Sequence, residues 1–121
     1  MKRLLVVDDQ AGIRGMLKML FQHLGYDVIL KETGKEALCV YEEVDVIITD
    51  YLLSDMTGVD IVKAIREKSQ RPIVVMSGLI DEVKSKLSES EQVYFIEKPF
   101  SIKDMEAVVK EALTGDVVFS G

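Results

Sequence analysis

Cysteine and histidine occur once each, as Cys39 and His23, and proline only twice. A single thiol closes no internal disulfide and builds no cysteine metal cluster, so a reducing cytoplasm is the expected setting. Long hydrophobic runs are also missing. No stretch approaches the roughly 18–20 apolar residues of a membrane span, and Met1-Lys2-Arg3 leads directly into a strand-like run rather than into a signal-peptide core, so no membrane association is expected. Positive charge is the minority: 15 Lys and Arg face 21 Asp and Glu, for a net charge of −6. That balance disfavours non-specific attraction to nucleic acid or anionic lipid. If the protein acts on DNA, something else must make the contact. Internal repeats, low-complexity segments, interdomain linkers and Gly-rich nucleotide loops are absent as well.

What is present is a globular balance, 48% hydrophobic and 30% charged, in 121 residues. This is enough for one domain with a full core and too little for two. Short apolar runs alternate with helical patterns along the chain. Arg3 to Val7 is the first expected strand, and Ile13, Met16, Leu17, Leu20, Phe21 and Leu24 recur at helical spacing until Gly25. Tyr26 to Leu30 reads as the second strand. Thr33-Gly34-Lys35-Glu36 has the form of a capping box opening the second helix. The strand ending at Asp50 follows, then a second box, Thr57-Gly58-Val59-Asp60. Ile73 to Met76 reads as the fourth strand, Asp81 to Leu87 as a polar helix and Val93 to Ile96 as the fifth strand. Ser101-Ile102-Lys103-Asp104 is a third box, with Phe100 and Met105 at the spacing of a hydrophobic staple. Five strands alternating with five helices predict an α/β fold, a parallel sheet covered on both faces.

Several of these strands end in chemistry. The run Val46-Ile47-Ile48-Thr49 stops at Asp50, the first strand stops at Asp8-Asp9, the fourth at Ser77-Gly78, and the fifth leads to Lys98. In doubly wound sheets, ligands bind outside the carboxyl ends of the strands. Three carboxylates at one rim repel one another, so either a pKa rises or a cation sits among them. With oxygen ligands and no His or Cys nearby in sequence, Mg²⁺, or alternatively Mn²⁺, fits best. Ser77 can donate a hydrogen bond to an anion and Lys98 brings a compact positive charge. An oxyanion held between a divalent metal and a lysine is what phosphoryl transfer needs, and Asp50 is then the candidate nucleophile.

The ordered set Asp8-Asp9, Asp50, Ser77-Gly78 and Lys98-Pro99-Phe100 resembles the receiver domain of two-component response regulators. The resemblance covers residues 1–115 and leaves 116–121 as a tail or the start of a linker. It implies a flavodoxin-like three-layer fold with a five-stranded parallel sheet in order 2-1-3-4-5. It further implies that Asp50 accepts a phosphoryl group from a phosphohistidine of a sensor histidine kinase or phosphotransfer protein. Asp9, Asp50 and the backbone carbonyl of Leu52 would bind Mg²⁺, with Asp8 helping through water. Ser77 and Lys98 would hold phosphoryl oxygens, and Phe95 would be the aromatic switch residue. The Lys98-Pro99 peptide would be cis. Such a protein is a signalling switch around the fourth helix and fifth strand rather than an enzyme, a monomer that can dimerise when phosphorylated.

The sequence departs from the family's pattern in places. Ser54 stands where proline is usual, so the loop after Asp50 is expected to be less rigid. Phe95 replaces the common tyrosine, the segment between Ser77 and Lys98 is slightly shorter than usual, and Ser88-Glu89-Ser90-Glu91 replaces the small residues that normally end the fourth helix. Leu52 and Leu79 flank the site with apolar bulk, which predicts slow hydrolysis of a phosphoaspartate. Met16 and Met19 read as helix packing, His23 as a surface residue and Cys39 as a buried small hydrophobe. Other functions on the same pattern are a receiver-like scaffold that binds its partner without phosphorylation, a flavodoxin-like electron carrier and an aspartyl phosphohydrolase. Asp8-Asp9 would repel a flavin phosphate, and phosphohydrolases generally carry a second acid where this chain has Leu52.

Overall fold

Every strand of the sheet is five residues long and mostly apolar, as burial of both faces demands. In the computed structural model, which describes residues 1–115, the strands are β1 (Arg3–Val7), β2 (Asp27–Lys31), β3 (Val46–Asp50), β4 (Ile73–Ser77) and β5 (Val93–Glu97). All pairings are parallel, in order β2-β1-β3-β4-β5. Between them run α1 (Ala11–His23), α2 (Gly34–Val40) with a 3-10 turn at Tyr41–Glu43, α3 (Gly58–Arg66), α4 (Ile80–Lys86) and α5 (Ile102–Thr114). The fold is therefore the flavodoxin-like one expected. The segment 116–121, read as a tail or linker, lies outside the described residues. Among the described residues no helix is long and apolar enough to cross a membrane.

Strand periodicity sorts the core into two layers. Leu5 and Val7 of β1, Ile47 of β3 and Ile73 and Val75 of β4 pack against Ala37, Ile61, Val62, Ile65 and Val83 of α2, α3 and α4 and against Leu87 just past the end of α4. Leu4, Val6, Val46, Ile48, Val74 and Met76 face the other way, onto Leu17 and Phe21 of α1 and Met105, Val109 and Ala112 of α5. Truncating one such aliphatic side chain to alanine costs about 2–5 kcal/mol, a large share of the 5–15 kcal/mol that typically separates folded from unfolded chains. The sheet is thus the rigid part of the molecule. Whatever its strand ends carry is held in place by it.

Helix starts follow the sequence, with differences in detail. Thr57 and Asp60 form the full reciprocal box at α3. Thr33 accepts from the Glu36 N–H, but the Glu36 carboxylate accepts from the Glu32 N–H at 3.3 Å and the Thr33 hydroxyl at 3.1 Å rather than from the backbone N–H of Thr33. Ser101 accepts from Asp104 N–H at 3.0 Å, and Phe100 and Met105 meet in one core layer as a staple would. The second strand begins at Asp27, one residue later than expected. Tyr26 N–H donates to the Phe21 carbonyl at 2.9 Å, and Gly25 takes a left-handed φ of 89°, so Tyr26 still belongs to the end of α1.

Three side chains differ from or qualify the sequence reading. Cys39 is exposed, because the buried face of the short helix α2 is taken by Gly34 and Ala37. Met16 and Met19 are exposed too, Met19 by 73%, since Leu17 and Phe21 define the core face of α1. His23 is a surface residue, as expected.

Candidate functional site

The parallel register sets the rim. Val7 pairs with Thr49 and Asp50 with Met76, so Asp8 and Asp9 emerge from β1 beside Asp50. Ser77 pairs with Glu97, which brings Lys98 to the same edge, where its N–H donates to the Ser77 carbonyl at 2.9 Å. One carboxylate oxygen from each of Asp8, Asp9 and Asp50 lies within 4.8 Å of the others. Asp8 is fully buried, Asp50 half-buried and Asp9 exposed. The Lys98 ammonium bridges the two inner acids, 3.3 Å from Asp8 Oδ2 and 3.2 Å from Asp50 Oδ1. The sequence reading placed these four residues at one rim, and the structure brings them together.

The electrostatics follow from that crowding. Burial pushes the Asp50 carboxyl above its ordinary pKa; the Lys98 ammonium pulls it down, and the Asp8 charge pushes it further up. The cluster thus sets three carboxyl groups around a single lysine. All the donors are oxygens, and Asp9 stands open to solvent, so the group fits a hard divalent cation such as Mg²⁺ or Mn²⁺. Asp8 is held in place: its Oδ1 accepts the Gln10 N–H at 2.9 Å and its carbonyl accepts from Arg14 at 2.8 Å.

The remaining expected residues surround the cluster. Ser77 is 3% exposed, and its Oγ accepts the Leu79 N–H at 2.8 Å, closing the turn that opens α4. Phe95 is half-buried against the core layer of α2, α3 and α4 and also borders a surface hollow of about 420 Å³ between β5 and α5. Leu52 and Leu79 expose 55% and 52% of their surface on the loops leaving β3 and β4. Leu52 pairs with Thr57 in an isolated antiparallel bridge that closes the β3–α3 loop. The Lys98-Pro99 peptide is cis, as the family resemblance implied.

Two residues had no role in the sequence reading. Tyr51, buried next to Asp50, donates its hydroxyl to Glu82 at 3.1 Å and accepts from Lys86 at 3.0 Å, so the residue after the candidate nucleophile is tied to α4. Asp55 accepts the N–H groups of Gly34 and Lys35, each at 2.9 Å. These hydrogen bonds, from the Lys35 N–H first, hold its carboxyl below the usual range. A tyrosine directly after the strand was the only sequence signal for the first. Asp55 gave none beyond that of a turn former.

Residues 4–110 match the family model described as "Response regulator receiver domain". The chain is 32% identical over 116 residues to a "Probable transcriptional regulator ycf27" of Porphyridium aerugineum, covering 93% of this chain and 48% of that protein. It is 34% identical over 115 residues to the "DNA-binding response regulator MtrA" of Mycolicibacterium paratuberculosis, covering 93% and 51%. The chain spans about half the length of these curated relatives. Among solved structures, the chemotaxis response regulator CheY4 of Vibrio cholerae superposes with a TM-score of 0.84 at 32% identity, covering 93% of this chain and 99% of that one.

Proposed function

Because the chain belongs to the response regulator receiver family, we propose that Asp50 is its phosphoacceptor in a two-component phosphorelay. The observation that carries this reading is the Lys98 ammonium held between Asp8 and Asp50 beside an exposed third carboxylate. Asp9, Asp50 and the Leu52 carbonyl would hold Mg²⁺, or Mn²⁺ in its place, with Asp8 acting through water. Bound there, the cation neutralises phosphoryl charge as it develops. An Asp50 carboxylate oxygen attacks the phosphorus of a phosphohistidine on a sensor kinase or phosphotransfer protein. The P–O bond forms as the P–N bond breaks, and the imidazole leaves with the electron pair.

Lys98 then trades a carboxylate for a phosphoryl oxygen. The Ser77 hydroxyl, whose Oγ accepts the Leu79 N–H, donates to a second oxygen, and its movement toward that oxygen loosens the turn at the start of α4. Phe95 moves into the space that Ser77 leaves, and the surface of α4 and β5 changes its affinity for a partner. The protein works as a switch that assists its own phosphorylation and dephosphorylation. It acts as a cytoplasmic monomer that can dimerise once phosphorylated. Contact with DNA, where the full regulator makes one, belongs to another part of it, since this domain is acidic throughout.

Intact mass after incubation with acetyl phosphate and Mg²⁺ tests the reading. A single phosphoryl adduct is expected on the wild type, one that does not form when Mg²⁺ is chelated beforehand and is absent from Asp50→Asn. No adduct, together with no change on adding beryllofluoride and Mg²⁺, would favour a scaffold that binds its partner without phosphorylation. The half-life of the adduct tests the role of Leu52. A polar Asn there supports in-line water, so Leu52→Asn should shorten the half-life about tenfold, roughly 1.4 kcal/mol in the barrier; an unchanged half-life removes that role.

A further inference from the structure

The loop joining β3 to α3, residues 51–57, carries Ser54 in place of the proline whose fixed φ would stiffen it. Its internal bonds are few. Leu53 N–H donates to the Met56 carbonyl at 3.1 Å, Leu52 bridges Thr57, and Gly58 N–H reaches back to the Tyr51 carbonyl at 2.6 Å. The loop is held mainly from outside. Each carboxylate oxygen of Asp55 accepts one N–H, from Gly34 and from Lys35, the first two residues of α2. Next to it Met56 lies so close to Gly34 that a Cβ there would overlap its Cγ and Sδ.

These contacts divide the start of α2 between two caps. Thr33 takes the Glu36 N–H in the usual way, and Asp55, from 21 residues away, takes the two amides that a local cap leaves open. A bidentate grip fixes both the position and the tilt of residue 55, three residues beyond Leu52. We infer that Asp55 is a positioning residue: it anchors the 51–57 loop on α2 and so holds the Leu52 carbonyl in place for the cation of Asp9 and Asp50. The inference rests on the reading of Leu52 and the rim acids given above. It also makes the start of α2 part of the apparatus that loads the site.

Two measurements on the full chain test it: Mg²⁺ affinity by titration calorimetry, and hydrogen exchange at the Gly34 and Lys35 amides with and without Mg²⁺. Loss of an outer residue that orients a ligand typically weakens metal affinity 10–100-fold. Asp55→Ala should therefore bind Mg²⁺ about tenfold more weakly, and Asp55→Asn, which keeps one acceptor oxygen, should fall between it and the wild type. Coupling is reciprocal, so Mg²⁺ should slow exchange at the two amides in the wild type and not in Asp55→Ala. A merely structural cap would leave exchange indifferent to Mg²⁺. Asp55 is exposed, and melting in EDTA reports whether the variants stay folded. Mg²⁺ affinity within twofold of the wild type in a folded Asp55→Ala overturns the inference while leaving the function proposed above intact. A wild type that binds no Mg²⁺ overturns both.

Discussion

At the scale of single residues, Asp50 sits where the fold holds it least comfortably. Burial raises its pKa, and Lys98 only partly offsets this. A carboxyl whose folded pKa lies above its unfolded value contributes stability below the unfolded pKa, and that contribution is lost as pH rises through the folded value. Ionising Asp50 at neutral pH therefore costs stability. Asp50→Asn should raise the melting temperature in EDTA at pH 7, and the gain should vanish as pH falls below the ordinary carboxylate range. A mutant that melts at or below the wild type at pH 7 would contradict this account. Mg²⁺ at a hundred times its dissociation constant should add about 2.7 kcal/mol to the wild type and far less to Asp50→Asn.

Among elements, α4 is short and lightly buried. It is seven residues long and its cap residue Leu79 supplies no side-chain bond; only Val83 within it is buried. Its tether to β3 is the Tyr51 hydroxyl, which links Glu82 and Lys86, and the Lys86 ammonium lies 5.8 Å from the centre of the same ring. That hydrogen bond, with the negative charge of Glu82 nearby, raises the Lys86 pKa. Tyr51→Phe keeps the buried ring and removes only the hydroxyl. A lost hydrogen bond of about 1 kcal/mol corresponds to roughly fivefold faster opening. Exchange of the α4 amides should accelerate by about that factor while β3 and β4 stay unchanged; unaltered α4 protection would show that the hydroxyl holds nothing. The opposite end of the sheet is built differently. Arg66 donates to the carbonyls of Ser69, Glu91 and Gln92, and Arg71 to those of Glu42 and Val44, so backbone turns there are pinned by half-buried arginines.

Across the whole molecule, the strands, the helices and the acid–lysine rim were legible in the sequence because each is written in a local pattern. Apolar runs of strand length end in Asp8, Asp50 and Ser77, and helical repeats follow capping residues. The strand order came from family resemblance, since parallel strands leave no local record of their neighbours. What stayed hidden joins residues far apart in sequence. Asp55 reaches α2 across 21 positions and Tyr51 reaches α4 across 31 to 35. Cys39 and the α1 methionines were misjudged for a related reason: composition says a residue is apolar, but only the packed helix shows which face it occupies. The looseness expected at Ser54 likewise took no account of the clamp that Asp55 supplies.

The bond between Lys98 and Asp8 spans 90 residues, nearly the full domain. A chain growing at about 5–20 residues per second needs roughly 5–20 seconds to extend that far. For that interval Asp8 and Asp9, joined by Asp50 for about its second half, exist without Lys98, and a chain cut short before β5 lacks it altogether. The last strand to be made thus leads directly into the lysine that completes the charge set begun at the end of the first.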